Sequence, residues 1–158
     1  MILVTLGTHP APMDRVVREL DRLIEVGALA DEVVIQAASF RLKPRLARSE
    51  GVIAYGRLRD MISTAEIVIS HAGPATLAEI RSAGRVPVVI PRSPARKEHV
   101  DDHQERYARR LQGQPGYIVV EDVSGLGPAI EGARGLRPAA FQADVAAAVA
   151  ALERILRD

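Results

Sequence analysis

Three short stretches of the chain concentrate residues able to bind or react with a ligand. The first is Gly7-Thr8-His9-Pro10, which closes an apolar run, with Asp14 near the start of the helical pattern that follows. A glycine at such a turn lets backbone approach a ligand closely, and a helix start offers unpaired N–H groups to an anion such as a diphosphate. The stretch is neither the dinucleotide pattern G-x-G-x-x-G nor the phosphate loop G-x-x-x-x-G-K-[ST], which argues against nicotinamide cofactors and ATP. A plain strand-to-helix turn accounts for it equally well. The second stretch runs from Ser70-His71-Ala72-Gly73 to Glu79. There a glycine turn precedes a helix, and a carboxylate about one turn inside could accept two hydroxyl hydrogen bonds, as from a ribose. A lone helix glutamate is more often merely solvated. The third opens at Ile90-Pro91-Arg92 and reaches His99, His103, Gln104 and Glu105. Its Pro91 and Pro94, with the charges of Arg92, Arg96 and Lys97, suggest an exposed loop that contacts ligand or moves.

Other chemistries fit less well. His99 and His103 are four apart, a spacing that could chelate zinc from one helix, but Val100-Asp101-Asp102 lies between them instead of the Glu-x-x of H-E-x-x-H. No metal site is expected. A hydrolytic triad of Ser70, His71 and Asp102 is formally possible, yet the G-x-S-x-G elbow is absent. Cysteine is absent too, which removes disulfides, thiolate metal sites and a cysteine nucleophile, and fits a reducing compartment.

Positioning these stretches requires a repeating scaffold. Short β-branched runs recur at 2–6, 32–36, 52–55, 67–70, 86–90 and 117–120, each four to six residues long. Between most of them lie helical-period patterns such as Val16, Val17, Leu20, Leu23 and Ile24, one buried face of a helix. Strands alternating with helices predict an α/β fold, a Rossmann-like parallel sheet of about six strands with helices on both faces. Gly27 and Gly84 suit helix ends, a helix is predicted over 75–83, and Asp101-Asp102 can start another over 104–111. The glycine-dense segment 124–137 reads as a loose helix or loop, and 139–157 as an amphipathic terminal helix that packs on its own domain or on a partner. In such a sheet the ligand lies beyond the carboxyl ends of the strands, where all three chemical stretches fall.

Composition narrows the classes further. The 158 residues suit one domain, and 47% hydrophobic with 26% charged residues is the make-up of a globular core, not of a disordered chain. Lys and Arg number 21 against 20 Asp and Glu, and aromatics are 3%, so no nucleic-acid footprint is present. No apolar run approaches the roughly 20 residues of a membrane span. With no basic region or cleavage site around the first strand, a cytoplasmic protein is expected.

Taken together the motifs resemble a known family. Met61, Ala65-Glu66-Ile67-Val68-Ile69-Ser70, His71-Ala72-Gly73, Thr76-Leu77-Ala78-Glu79, Gly84, Pro87, Ile90-Pro91 and Asp102-His103-Gln104, within 55–111, resemble the C-terminal, donor-binding half of family 28 glycosyltransferases. The opening Val4-Thr5-Leu6-Gly7-Thr8-His9-Pro10 with Asp14-Arg15 is similar to a narrower branch. That branch holds the small subunits of split enzymes, the bacterial exopolysaccharide transferases and the dolichol-type N-acetylglucosamine transferases. The resemblance implies the C-terminal Rossmann-like half of a GT-B fold and a UDP-sugar as substrate, with no cofactor. It implies that Glu79 binds the ribose hydroxyls, that Gln104 and Glu105 hold the sugar, and that Gly7, Thr8 and His9 lie near the diphosphate. His71, Ala72 and Gly73 would line the turn before the Glu79 helix. Two departures stand out: Tyr107 replaces an asparagine usual three residues after the glutamine, and Gln36-Ala37-Ala38-Ser39 lacks a glycine common there, which leaves Ser39 without an assigned role.

The resemblance further implies a hexosyltransferase completed by a separate, membrane-associated subunit that presents a lipid-linked acceptor for polysaccharide synthesis and carries the catalytic base. The chain would then be recruited to the inner face of the membrane by that subunit. Two other readings stay open: a nonenzymatic nucleotide-sugar-binding module, and half of a UDP-sugar epimerase.

Overall fold

The computed structural model describes residues 1–136. Its elements run β1 (Ile2–Thr5), α1 (Asp14–Glu25), β2 (Val33–Gln36), β3 (Arg48–Glu50), α2 (Tyr55–Thr64), β4 (Ile67–Ser70), α3 (Pro74–Ser82), β5 (Pro87–Val89), α4 (His103–Leu111), β6 (Ile118–Val119) and α5 (Leu126–Ala133). The six strands form one parallel sheet in the order β3-β2-β1-β4-β5-β6. This is the α/β, Rossmann-like arrangement that the alternating pattern predicts.

The period of two along the central strands decides which helix covers which face. Ile2, Val4 and Leu6 point into a core shared with Val16, Val17, Leu20 and Leu23 of α1 and Leu126 and Ile130 of α5. Leu3, Val68 and Val89 point the other way, against Ile62 of α2, Leu77 and Ile80 of α3, and Ala108 and Leu111 of α4. Each such Val, Leu or Ile side chain, buried fully, contributes roughly 1.5–3 kcal/mol before chain entropy is charged against it.

Two expectations need correction. There is no strand at 52–55: the third strand is Arg48–Glu50, and Tyr55 instead opens α2. β3 is an edge strand paired only with β2, so a polar Arg-Ser-Glu sequence suffices where an inner strand would need apolar residues on both faces. Its approach is fixed from α1, where the buried Asp21 carboxylate accepts the Arg45 and Leu46 N–H groups at 3.0–3.1 Å. The glycine-dense segment is more regular than expected, because Leu126, Ala129, Ile130 and Ala133 form one buried stripe along α5. Gly127 serves that packing, since a Cβ there would lie 3.1 Å from the Leu23 side chain of α1. The terminal helix anticipated over 139–157 lies outside the described residues. No helix among the described residues is long and apolar enough to cross a membrane.

Candidate functional site

The connections from β1 and β4, neighbours at the centre of the sheet, depart to opposite faces, through α1 and α3. Their carboxyl ends therefore flank an open crevice, the usual ligand position in such a sheet. Gly7, Thr8 and His9 follow one strand, and His71, Ala72 and Gly73 the other. The His71 imidazole fills the gap between the two turns. A Cβ on Gly7 would lie 2.7 Å from its Cε1, and one on Gly73 would also run into the ring. Gly7 in addition has φ +78°, a conformation that favours glycine. Both turns are thus built around one histidine.

His71 Nδ1 lies 3.3 Å from the Thr5 carbonyl, which can only accept, so the proton sits on Nδ1 and Nε2 keeps a lone pair. Burial, opposed by that carbonyl and aided by the charge of Arg92, lowers the His71 pKa to about 4. The ring is neutral at ordinary pH. Beside it, Gly7, Thr8, Leu58 and Thr76 help enclose a space of 140 Å³. Ala72 is fully buried in the core and contributes no side chain to the crevice. Gln36, at the end of β2, supports the same turn: its Oε1 accepts the Thr5 hydroxyl at 2.8 Å, and its Nε2 donates to the Gly7 and Gly51 carbonyls. The Ser39 hydroxyl donates to the Pro10 carbonyl, which gives that residue a structural role in the same loop.

Glu79 projects from α3 toward α2, a third exposed. It borders a 420 Å³ groove whose other walls include Gly56, Arg59, Asp60, Ser63 and Ser82. Tyr55 donates its hydroxyl to one carboxylate oxygen, and Arg59 Nε lies 3.2 Å from the other. The bond to Glu79 holds the Tyr55 pKa above that of a free phenol. Tyr55 and Arg59 were not foreseen as site residues, since the sequence around Tyr55 reads as a strand.

On α4 the expected pair diverges. Gln104 turns inward, and its Oε1 accepts the Arg92 backbone N–H at 3.2 Å. Glu105 borders a 210 Å³ space with Pro91, Arg109 and Glu121. Arg92 itself corrects the expectation of an exposed charged loop. It is 1% exposed, while Arg96 and Lys97 are exposed. Its guanidinium donates to the Leu6 carbonyl at 2.7 Å, the Glu98 carbonyl at 3.0 Å and the Ala11 carbonyl, so one cation ties the loop after β1 to the loop after β5. Glu98, also buried, accepts from Arg15 Nε and Nη2 at 2.9 and 3.1 Å and from the Ser93 N–H at 3.1 Å. Carbonyl-rich loops are good hosts for a buried guanidinium, but nothing local to Arg92 in the sequence marks it as buried.

Three histidines gather next to this network. His9 stacks on His99 at 4.6 Å between centroids, and His103 meets His99 edge-on at 4.5 Å. His9 has a lowered pKa, chiefly from burial and then from Arg92 and His99. His99 and His103 do not share a helix, because α4 begins at His103, yet their ring nitrogens and the Asp101 carboxylate lie within 4.8 Å of one another. Among the described residues that trio is the group whose donor atoms could share a metal ion. The formal triad is not assembled: Ser70 Oγ donates to the His71 carbonyl, His71 Nδ1 faces Thr5, and Asp102 pairs with Arg106 at 3.2 Å.

The sequence model of the glycosyltransferase family 28 C-terminal domain matches residues 1–122. The chain belongs to this family. Solved glycosyltransferases share the family 28 chain's fold. The kitacinnamycin glycotransferase superposes with a TM-score of 0.60 at 19% identity, over 99% of this chain and 38% of the other. MurG from Acinetobacter baumannii gives 0.53 at 17% identity, over 82% and 40%. SnogD from Streptomyces nogalater gives 0.51 at 23% identity, over 84% and 37%. The chain spans well under half the length of these structures, and the neighbours are GT-B glycosyltransferases.

Proposed function

We propose that this family 28 chain is the donor-binding component of a glycosyltransferase that takes a hexosyl group from a UDP-sugar. The observation that carries the reading is the placement of Glu79: a carboxylate on the helix that follows the β4 glycine turn, bordering an open groove. In this reading the ribose diol replaces the Tyr55 hydroxyl and Arg59 as the partner of Glu79. The diphosphate lies against the Gly7-Thr8 turn and the start of α3, where backbone N–H groups and the helix dipole favour negative charge. Glu105 and the NH₂ end of Gln104 face the sugar. His9 stands beside the diphosphate, and the neutral His71, whose Nε2 keeps a lone pair, can accept a hydrogen bond from a ligand hydroxyl there. No cofactor is needed.

Transfer is a displacement at the anomeric carbon. The bond from that carbon to the UDP oxygen breaks, a bond to the acceptor oxygen forms, and the acceptor proton passes to a base on a second, membrane-associated subunit. Donors already aimed at the departing diphosphate would stabilise the charge it gains. The acceptor is lipid-linked, the product a polysaccharide precursor, and the site of action the inner face of the membrane.

Calorimetry with UDP and UDP-sugars tests the donor site. Glu79→Ala should weaken binding of both by about 1–3 kcal/mol. Unchanged affinity in the folded variant would remove Glu79 from the site. Gln104→Ala should weaken UDP-sugar more than UDP, and equal losses would place Gln104 away from the sugar. A chain that binds UDP-sugar but, with its partner, never consumes it would be a binding module instead.

A further inference from the structure

The same loop edge carries a second, separate concentration of charge on the α1 side of the sheet. A cleft of 250 Å³ there is walled by Arg15 and Arg18 of α1, Arg41 of the loop after β2, and Arg96 and Lys97 of the loop after β5. Two carboxylates, Asp14 and Glu98, face these five cations, in a chain whose total formal charge is only +1. Both are already engaged. Glu98 is held by Arg15 and the Ser93 N–H, and Asp14 accepts the Leu42 N–H at 3.1 Å while lying 3.9 Å from Arg41. We propose that this cleft binds a phosphate- or diphosphate-bearing ligand other than the nucleotide-sugar donor.

One further observation, independent of the charge count, points to an anion. Arg15 Nη1 is buried without a hydrogen-bond acceptor, although the other nitrogens of the same guanidinium are bonded. Arg15 lines the cleft, and a shift of its side chain that uncovers Nη1 would let a phosphate oxygen satisfy it, in the fork geometry a guanidinium offers to phosphate. Lys97 is the one non-glycine residue with positive φ, 58°, among the described residues. That left-handed residue ends the short turn 94–96, where its N–H donates to the Pro94 carbonyl at 2.9 Å, and it leaves Lys97 bordering the cleft. Arg18 adds a cation with no ion-pair partner among the described residues, and Arg96 is only 4.0 Å from Asp122, at the limit of a salt bridge.

The cleft is not part of the donor groove. Glu79, Gln104 and Glu105 belong to α3 and α4, which cover the opposite face of the sheet from α1. Both sites nonetheless open at the carboxyl ends of the strands, so a phosphorylated ligand held here lies at the same edge as the crevice. The inference stands on the cleft alone and does not require the donor reading.

The test is a titration of the full chain with inorganic diphosphate, in buffer and again with saturating UDP. We expect binding in both, weakened at least tenfold by Arg18→Glu and by Lys97→Gly but unaltered by Glu79→Ala. Lys97→Gly should also keep or raise the melting temperature, because it relieves the positive φ, so loss of binding cannot be laid to unfolding. A parallel arm asks for the source of the phosphate: cosedimentation with phosphatidylcholine vesicles carrying a polyprenyl diphosphate identifies a lipid-borne ligand, and binding of soluble diphosphate without cosedimentation identifies a free one. Absence of binding in both arms overturns the proposal, as does diphosphate binding that UDP abolishes or that Arg18→Glu and Lys97→Gly leave intact. If UDP fails to bind while diphosphate does, the donor reading falls and the cleft remains.

Discussion

The His71 imidazole is kept uncharged by burial between two glycine turns, and that has a measurable consequence. Its pKa is about 4 in the folded chain against roughly 6.5 unfolded, so between these values the unfolded state binds more protons. Stability therefore rises with pH across that window. It is lost as pH falls from about 6.5 toward 4, by at most about 3 kcal/mol. Melting curves should show this slope in the native chain and a flatter one in His71→Asn, whose amide can still donate to Thr5. A slope unchanged by the substitution would assign it elsewhere. At this scale the sequence was informative wherever a residue type alone dictates geometry. Gly7 and Gly73 at strand ends, with a histidine beside one of them, read directly as a turn site. Arg92, Gln36, Tyr55 and Arg59 did not, because each acquires its role from partners 6 to 86 positions away.

The two glycine turns separate steric from conformational causes. Gly73 has an ordinary extended backbone, φ −88° and ψ 116°, so the cost of Gly73→Ala is the clash with His71 alone. Gly7 has φ +78°, so Gly7→Ala is strained even without the ring. Each single substitution should destabilise by about 1–3 kcal/mol. Adding His71→Ala should recover most of the Gly73→Ala loss but only the steric part of the Gly7→Ala loss, leaving the cost of the positive φ, a contrast that denaturant titration of the double variants reads directly. Additive behaviour at Gly73 would show that the ring moves aside. Inner strands such as β1 and β4 were legible because two covered faces demand continuous apolar residues. The edge strand was not, since β3 needs only backbone pairing with β2 and is spelled Arg48-Ser49-Glu50, while the apolar run beside it feeds a loop and α2.

For the whole molecule, the parallel sheet agrees with what the alternating pattern implied, and the family match agrees with the resemblance of the motifs. On the proposed reading the chain alone should bind UDP-sugar and transfer nothing to a lipid-linked acceptor, and a copurified partner subunit should restore turnover. Transfer by the isolated chain would sink the divided-enzyme reading. Arg92 supplies a further whole-molecule test. Arg92→Met should cost about 3 kcal/mol, and hydrogen exchange should speed up together in 6–12 and 91–98 while the sheet stays protected. The same bonds bear on the thermodynamics of any ligand seated at this edge. Loops that are already pinned to one another have little freedom left to surrender, so association there should carry a small entropic penalty, and a favourable enthalpy should pass almost undiminished into affinity.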